Sequence, residues 1–228
     1  MCKFDLSGIR KIRKLFAIAF CLPAMGSAIH AQTSEPSQDF SVIEKSTWVI
    51  PEDDTLSYTF DQYDGNKALL LKRKIQNAKS GSVAFPKNLN FKDGEIDLDI
   101  ASPLGAAGYV GLAFRIMDPH HYETVYFRPG YSRTTDAIQY MPEKKSEFNW
   151  WDYEHPEFQA KDSLPLKDWF HVKVVVKGST VSVFTHHGNI PVYKYDKLDP
   201  GITRGSVGFW LGNSPVGAYK NLVVKVYD

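Results

Sequence analysis

Cysteine is nearly missing from this 228-residue chain, and the two present, Cys2 and Cys21, both fall within residues 1–31. That stretch reads as an export signal. Lys3, Arg10, Lys11, Arg13 and Lys14 form a basic head, Leu15 to Leu22 an apolar run, and Ala24, Gly26, Ser27 and Ala28 a small-residue tail, with cleavage expected after Ala31. The apolar run stops at Pro23, short of the ~20 residues a membrane-crossing helix needs. The expected product is exported, to the periplasm or beyond, with no membrane span. Without residues 1–31 it has no thiol. Disulfide staples, thiolate catalysis, iron–sulfur clusters and Cys-ligated zinc are thereby excluded, and stability must come from burial.

Charge of one sign is also lacking. The signal takes five of the 27 Lys+Arg and one of the 26 Asp+Glu, which leaves 22 against 25, a net of −3. A nucleic-acid partner calls for a basic surface, so none is expected. No stretch keeps a helical period beyond two turns, and no internal repeat appears. There is no G-x-S-x-G elbow, H-E-x-x-H helix or EF-hand loop; no residue is assigned as a metal ligand, and the sequence leaves open whether a metal or cofactor is required.

What the chain has is short strands. After a polar tether at residues 32–39, alternating segments recur between Gly, Pro, Asn and Asp clusters. They are Leu69 to Arg73, Ser82 to Phe85, Glu95 to Ala101, Tyr109 to Met117, Tyr122 to Arg128, Ala137 to Met141, Phe170 to Val176, Val181 to Thr185, Val192 to Tyr195, Val207 to Leu211 and Leu222 to Tyr227. Lys177-Gly178-Ser179 and His187-Gly188-Asn189 have turn chemistry. Residues 40–228 therefore predict one all-β domain, a two-sheet antiparallel β-sandwich of jelly-roll type. Pro142 to Leu166 breaks the rhythm and reads as a long loop.

Side chains alternate along a strand, so parity assigns faces. Val110, Leu112, Phe114 and Ile116 take the core side of their strand, leaving Gly111, Ala113 and Arg115 on the other. By the same rule Tyr126, Arg128 and Gln139 face away from the core. If these three strands are neighbours, Arg115, Tyr126, Arg128 and Gln139 line one trough suited to sugar hydroxyls or carboxylates. Trp150 and Trp151, in the long loop, offer indole faces for a sugar ring. Glu123 falls on the core side, where burial raises a carboxylate pKa. With His121 it forms the candidate acid–base pair.

The runs Gly111-Leu112-Ala113-Phe114-Arg115, Tyr126-Phe127-Arg128-Pro129, Gln139-Tyr140, Trp169-Phe170-His171-Val172-Lys173-Val174 and Gly208-Phe209-Trp210 resemble secreted bacterial domains of the concanavalin-A-like lectin/glucanase superfamily. The nearest group is the 3-keto-disaccharide hydrolase-like domains. The resemblance spans about Leu56 to Asp228 and implies a carbohydrate ligand on the concave sheet. Two narrower likenesses sit inside it. Glu95-Ile96-Asp97-Leu98-Asp99 is similar to the carboxylate strand of laminarinase-type glucanases, though plain core/solvent alternation also explains it. Tyr126-Phe127-Arg128-Pro129-Gly130-Tyr131 is similar to a strand of sandwich-type alginate lyases, but no Q-I-H motif accompanies it. The expectation is a glycan-binding protein that cleaves a glycosidic linkage. A non-catalytic lectin-like module and a lyase acting on uronates are the alternatives.

Overall fold

The computed structural model describes residues 37–50, 56–74, 81–144 and 150–227. The signal peptide expected at 1–31, and the tether up to residue 36, lie outside the described residues. Fifteen strands follow in chain order. The first five are β1 (Gln38–Asp39), β2 (Trp48–Val49), β3 (Leu56–Tyr63), β4 (Asn66–Arg73) and β5 (Ser82–Pro86). Then come β6 (Gly94–Ala101), β7 (Val110–Asp118), β8 (His121–Phe127), β9 (Ile138–Lys144) and β10 (Gln159–Ala160). The last are β11 (Phe170–Lys177), β12 (Thr180–Thr185), β13 (Tyr193–Tyr195), β14 (Ser206–Leu211) and β15 (Val216–Val226).

They form two sheets, antiparallel throughout. One runs β13-β12-β11-β6-β15-β4-β3, with β1 beside β15; the other runs β10-β9-β8-β7-β14-β5-β2. The chain is the two-sheet antiparallel β-sandwich that the alternation predicts. Its core draws one side of each strand: Ile96, Leu98 and Ile100 from β6, Val172, Val174 and Val176 from β11, Leu112 and Phe114 from β7, Val125 and Phe127 from β8, and Phe209 from β14. Full burial is worth about 1.5–3 kcal/mol for each large apolar side chain, so this core holds without a disulfide. No helix among the described residues is long and apolar enough to cross a membrane.

All eleven expected strands form, with ends shifted by a few residues. Strand β3 was not foreseen because only Leu56 in it is fully buried, as suits a sheet edge. Gly178-Ser179 closes a two-residue hairpin between β11 and β12, with Gly178 at φ 57°, a conformation that costs glycine little. The stretch from Pro142 to Leu166 is not one loop. Pro142 to Lys144 continue β9, Trp150–Tyr153 form a 3-10 turn, and β10 returns to pair with β9. Proline is tolerated at 142 because β10 covers only Gln139 and Ile138, leaving β9 an edge there.

Candidate functional site

The parity rule holds along β8 and β9 and fails on β7. Gly111 faces Tyr126 and Ala113 faces Thr124, but the register then slips between Phe114 and Asp118, and again opposite Ser206 and Gly208 of β14. Arg115 sits in the bulge at φ 52°. A bulge inserts a residue and turns every later side chain to the opposite face. Gly205 makes it possible, because a Cβ there would lie 2.1 Å from the Ile116 carbonyl oxygen. Ile116 therefore leaves the core and joins Ala113, Tyr122, Tyr126, Met141 and Trp210 on the outer face.

Arg115 consequently does not line the trough. It is buried, 4% exposed, and donates to the carbonyls of Lys92 (2.9 Å) and Gly178 (2.6 Å) and to Asp93 Oδ1 (3.1 Å). Its role is to clamp the bulge to the β5–β6 and β11–β12 turns.

The other three members come together as expected. Tyr126 and Gln139 are cross-strand partners, and the Tyr126 hydroxyl donates to Gln139 Oε1 at 2.7 Å. Arg128 Nη2 donates to the same oxygen. The amide nitrogen of Gln139 donates to the Tyr153 carbonyl at 2.9 Å and the Trp150 carbonyl at 3.4 Å. Gln139 is thus fully engaged and buried. It pins the turn carrying Trp150 onto the sheet and makes no contact a ligand needs.

Beside this group lies a cavity of about 270 Å³, lined by Tyr109, Tyr126, Arg128, Tyr131, Asp136, Trp150, Glu154, Trp210 and Asn213. Its base is the stacked pair Tyr126 and Trp210, ring centres 4.9 Å apart. Glycine at 111 and 208 and alanine at 113 keep that part of the sheet low. The Trp210 indole N–H donates to the Tyr122 hydroxyl (3.2 Å), which donates to Glu143 Oε2 (2.5 Å). The walls are the accessible rings: Tyr131 and Trp150 are 41% and 42% exposed. Asp136 is fixed by a short turn in which its backbone N–H donates to the Thr134 hydroxyl at 3.2 Å. Trp151 packs edge-on against Trp150 (5.8 Å) and is not part of the cavity lining.

Burial sets the electrostatics of this face. It raises the Tyr126 phenol well above its ordinary range. It pushes Glu143 up to about 7, against the opposing hydrogen bonds from Tyr122 and the Gly81 N–H. Among the described residues, buried Arg128 Nε, Thr124 Oγ1 and Glu143 Oε1 have no hydrogen-bond partner.

The arrangement of strands in two sheets is found in solved structures. A Bacillus subtilis protein of unknown function with a galectin-like fold matches at TM-score 0.58 and 16% identity, over 86% of this chain and 100% of that one. The carbohydrate-binding module CBM66 of Bacillus subtilis matches at TM-score 0.54 and 12% identity, over 77% and 93%. Bacillus licheniformis β-glucanase matches at TM-score 0.53 and 9% identity, over 86% and 99%. The fold is the concanavalin-A-like sandwich. At these identities the likeness is one of fold. No protein-family model and no curated protein matches the chain.

Within this concanavalin-A-like sandwich the expected acid–base pair is not assembled. Glu123 lies on the core side of β8, fully buried, taking hydrogen bonds from the Tyr140 hydroxyl (2.6 Å) and the Asp199 N–H (2.9 Å). Burial pushes it up to about 7, but it is absent from the cavity lining. His121 is five residues, roughly 17 Å, from Tyr126 along the strand, paired with Asp118 at 2.8 Å on the surface. The glucanase-like strand lies on the other sheet. There Asp97 and Asp99 bind His171 (3.3 and 3.1 Å), and Glu95 pairs with Lys173. The carboxylates that do reach the cavity, Asp136 and Glu154, sit in turns beyond the strands. Strand parity does not reach such positions, and it left Tyr131 and Asn213 unseen for the same reason, whereas Tyr109 opens the expected strand on the side of Gly111 and was within its reach. Trp210 was within reach of it, since it shares a face with Gly208.

Proposed function

We propose that the protein binds a glycan through the Tyr126–Arg128–Trp150 cavity on the outer face of the seven-stranded sheet. The observation that carries this reading is the composition of the lining. Two exposed aromatic walls flank a place where a guanidinium donor, an amide and two carboxylate acceptors converge. A sugar ring has apolar C–H faces for the first and a rim of hydroxyls for the second. The size supports one ring rather than several, since pockets for larger ligands run to roughly 300–1,000 Å³. The export pattern in residues 1–31 supports a place for this activity outside the cytoplasm.

A second reading, cleavage of a glycosidic bond, is supported by the two carboxylates in one cavity. Such hydrolysis takes one group as acid and another as base or nucleophile, and here these would be Asp136 and Glu154. The test is to incubate residues 32–228 with plant, algal, bacterial and 3-keto-modified glycans, measuring affinity and product mass. Binding weakened about tenfold in Trp150→Ala supports the site, and binding unchanged in that variant overturns it. A product heavier by one water indicates hydrolysis, an unsaturated uronate indicates elimination, and unchanged glycan leaves binding alone.

A further inference from the structure

Arg128 is an unusual occupant of the cavity. It is 5% exposed, and a buried guanidinium ordinarily has a carboxylate on it. Among the described residues it has no ion-pair partner, and its one hydrogen bond goes to the neutral amide oxygen of Gln139, which also takes the Tyr126 hydroxyl. Of five N–H donors one is engaged, and Nε is sealed from water with no partner. Its guanidinium carbon lies over the rings of Tyr126 and Tyr131, 5.6 and 5.4 Å from their centres. Those rings temper the charge but accept none of its N–H groups in the plane of the fork. The terminal N–H groups without a partner are what the cavity offers a ligand.

Two acidic residues share the lining and must be weighed. Glu154 is exposed and Asp136 is half-exposed, and neither lies within ion-pair distance of Arg128. Water and salt screen rim charges of this kind, whereas a desolvated cation keeps most of its field. The charge lacking compensation is the buried positive one.

We infer that the ligand is an anionic sugar, its carboxylate or sulfate ester received edge-on by Arg128 while its hydroxyls face Asp136 and Glu154. This rests on the carbohydrate reading of the cavity. An arginine fork matches a planar carboxylate with paired N–H donors, and such a ligand supplies the counter-charge the fold leaves out.

The test uses matched probes and residues 32–228: galacturonate, glucuronate and mannuronate oligosaccharides each against its methyl ester, and sulfated oligosaccharides each against its desulfated form. The expected result is an acid bound at least about tenfold more tightly than its neutral partner. That preference is lost in Arg128→Gln, with Arg128→Lys intermediate. The acid-against-ester comparison in the wild type carries the test if Arg128→Gln does not fold. Neutral partners bound as tightly as the acids throughout would overturn the anion inference while leaving the glycan site intact. No binding of any glycan would overturn the reading beneath it as well.

Discussion

The outer faces of the two sheets treat polar groups in opposite ways. On the eight-stranded sheet Glu95, Asp97, Asp99, His171, Lys173, Lys220 and Lys225 form a ladder in which acids and bases alternate across β11, β6 and β15, partly open to water. On the seven-stranded sheet Arg128, Gln139, Thr124 and Glu143 are buried among aromatic rings, and three of the four have a polar atom without a partner. Solvated, mutually paired charges need no ligand to account for them. Desolvated groups short of partners cost stability, and their presence on the face that holds the cavity supports the binding site proposed there.

Several substitutions probe that contrast. The largest effect is expected away from both faces, at the bulge. Arg115→Ala strips a buried clamp from Asp93 and two turns, and should lower stability by about 3–5 kcal/mol in urea unfolding, with glycan affinity of the folded fraction unchanged. Loss of binding without loss of stability would return Arg115 to the site.

Taken per group, the next largest is the effect of pH. Glu123 and Glu143 are each raised by burial from an ordinary 4.5 to about 7. A carboxyl raised on folding stabilises fully below its unfolded value, and that contribution is lost as pH climbs through the folded one. Stability should therefore fall between about pH 4.5 and 7, by on the order of 3 kcal/mol per group. Glu143→Gln keeps a hydrogen-bonding amide and should flatten about half of the slope. A slope untouched by that change would mean that Glu143 is ionised throughout.

Smaller effects separate the two tryptophans. Trp150→Ala should weaken glycan binding about tenfold, roughly the ~1.4 kcal/mol of that factor, while Trp151→Ala stays within about twofold. Equal losses would place the ligand across both rings. The smallest change belongs to the paired ladder, where Asp97→Asn should cost less than about 1 kcal/mol, and less still in high salt. The His171 imidazolium, raised to about 9 by hydrogen bonds to Asp97 and Asp99, contributes below pH 6.5 and is lost as pH rises through 9.

Much of the sandwich is legible because alternation in β6, β7, β8, β11 and β14 is a local property of the chain. So is the pairing of Tyr126 with Gln139, which follows from parity and strand adjacency. Arg115 is where locality fails: its bulge depends on Gly205, far along the chain, approaching the Ile116 carbonyl. Glu143 was hidden by Pro142, a residue that ends most strands but not an edge. Glu123 reads correctly as a carboxylate on the core side, yet its partners, Tyr140 and the Asp199 N–H, come from elements whose position only the tertiary fold sets.

A glycan titration followed by NMR compares the two faces in one sample. The signals to watch are the Trp150 indole N–H and Arg128 Nε–H on one sheet, and the backbone amides of Glu95, Asp97 and His171 on the other. The expected result is saturable shifts at Trp150 and Arg128 with the ladder silent. Shifts at the ladder, with Trp150 and Arg128 unmoved, would contradict it.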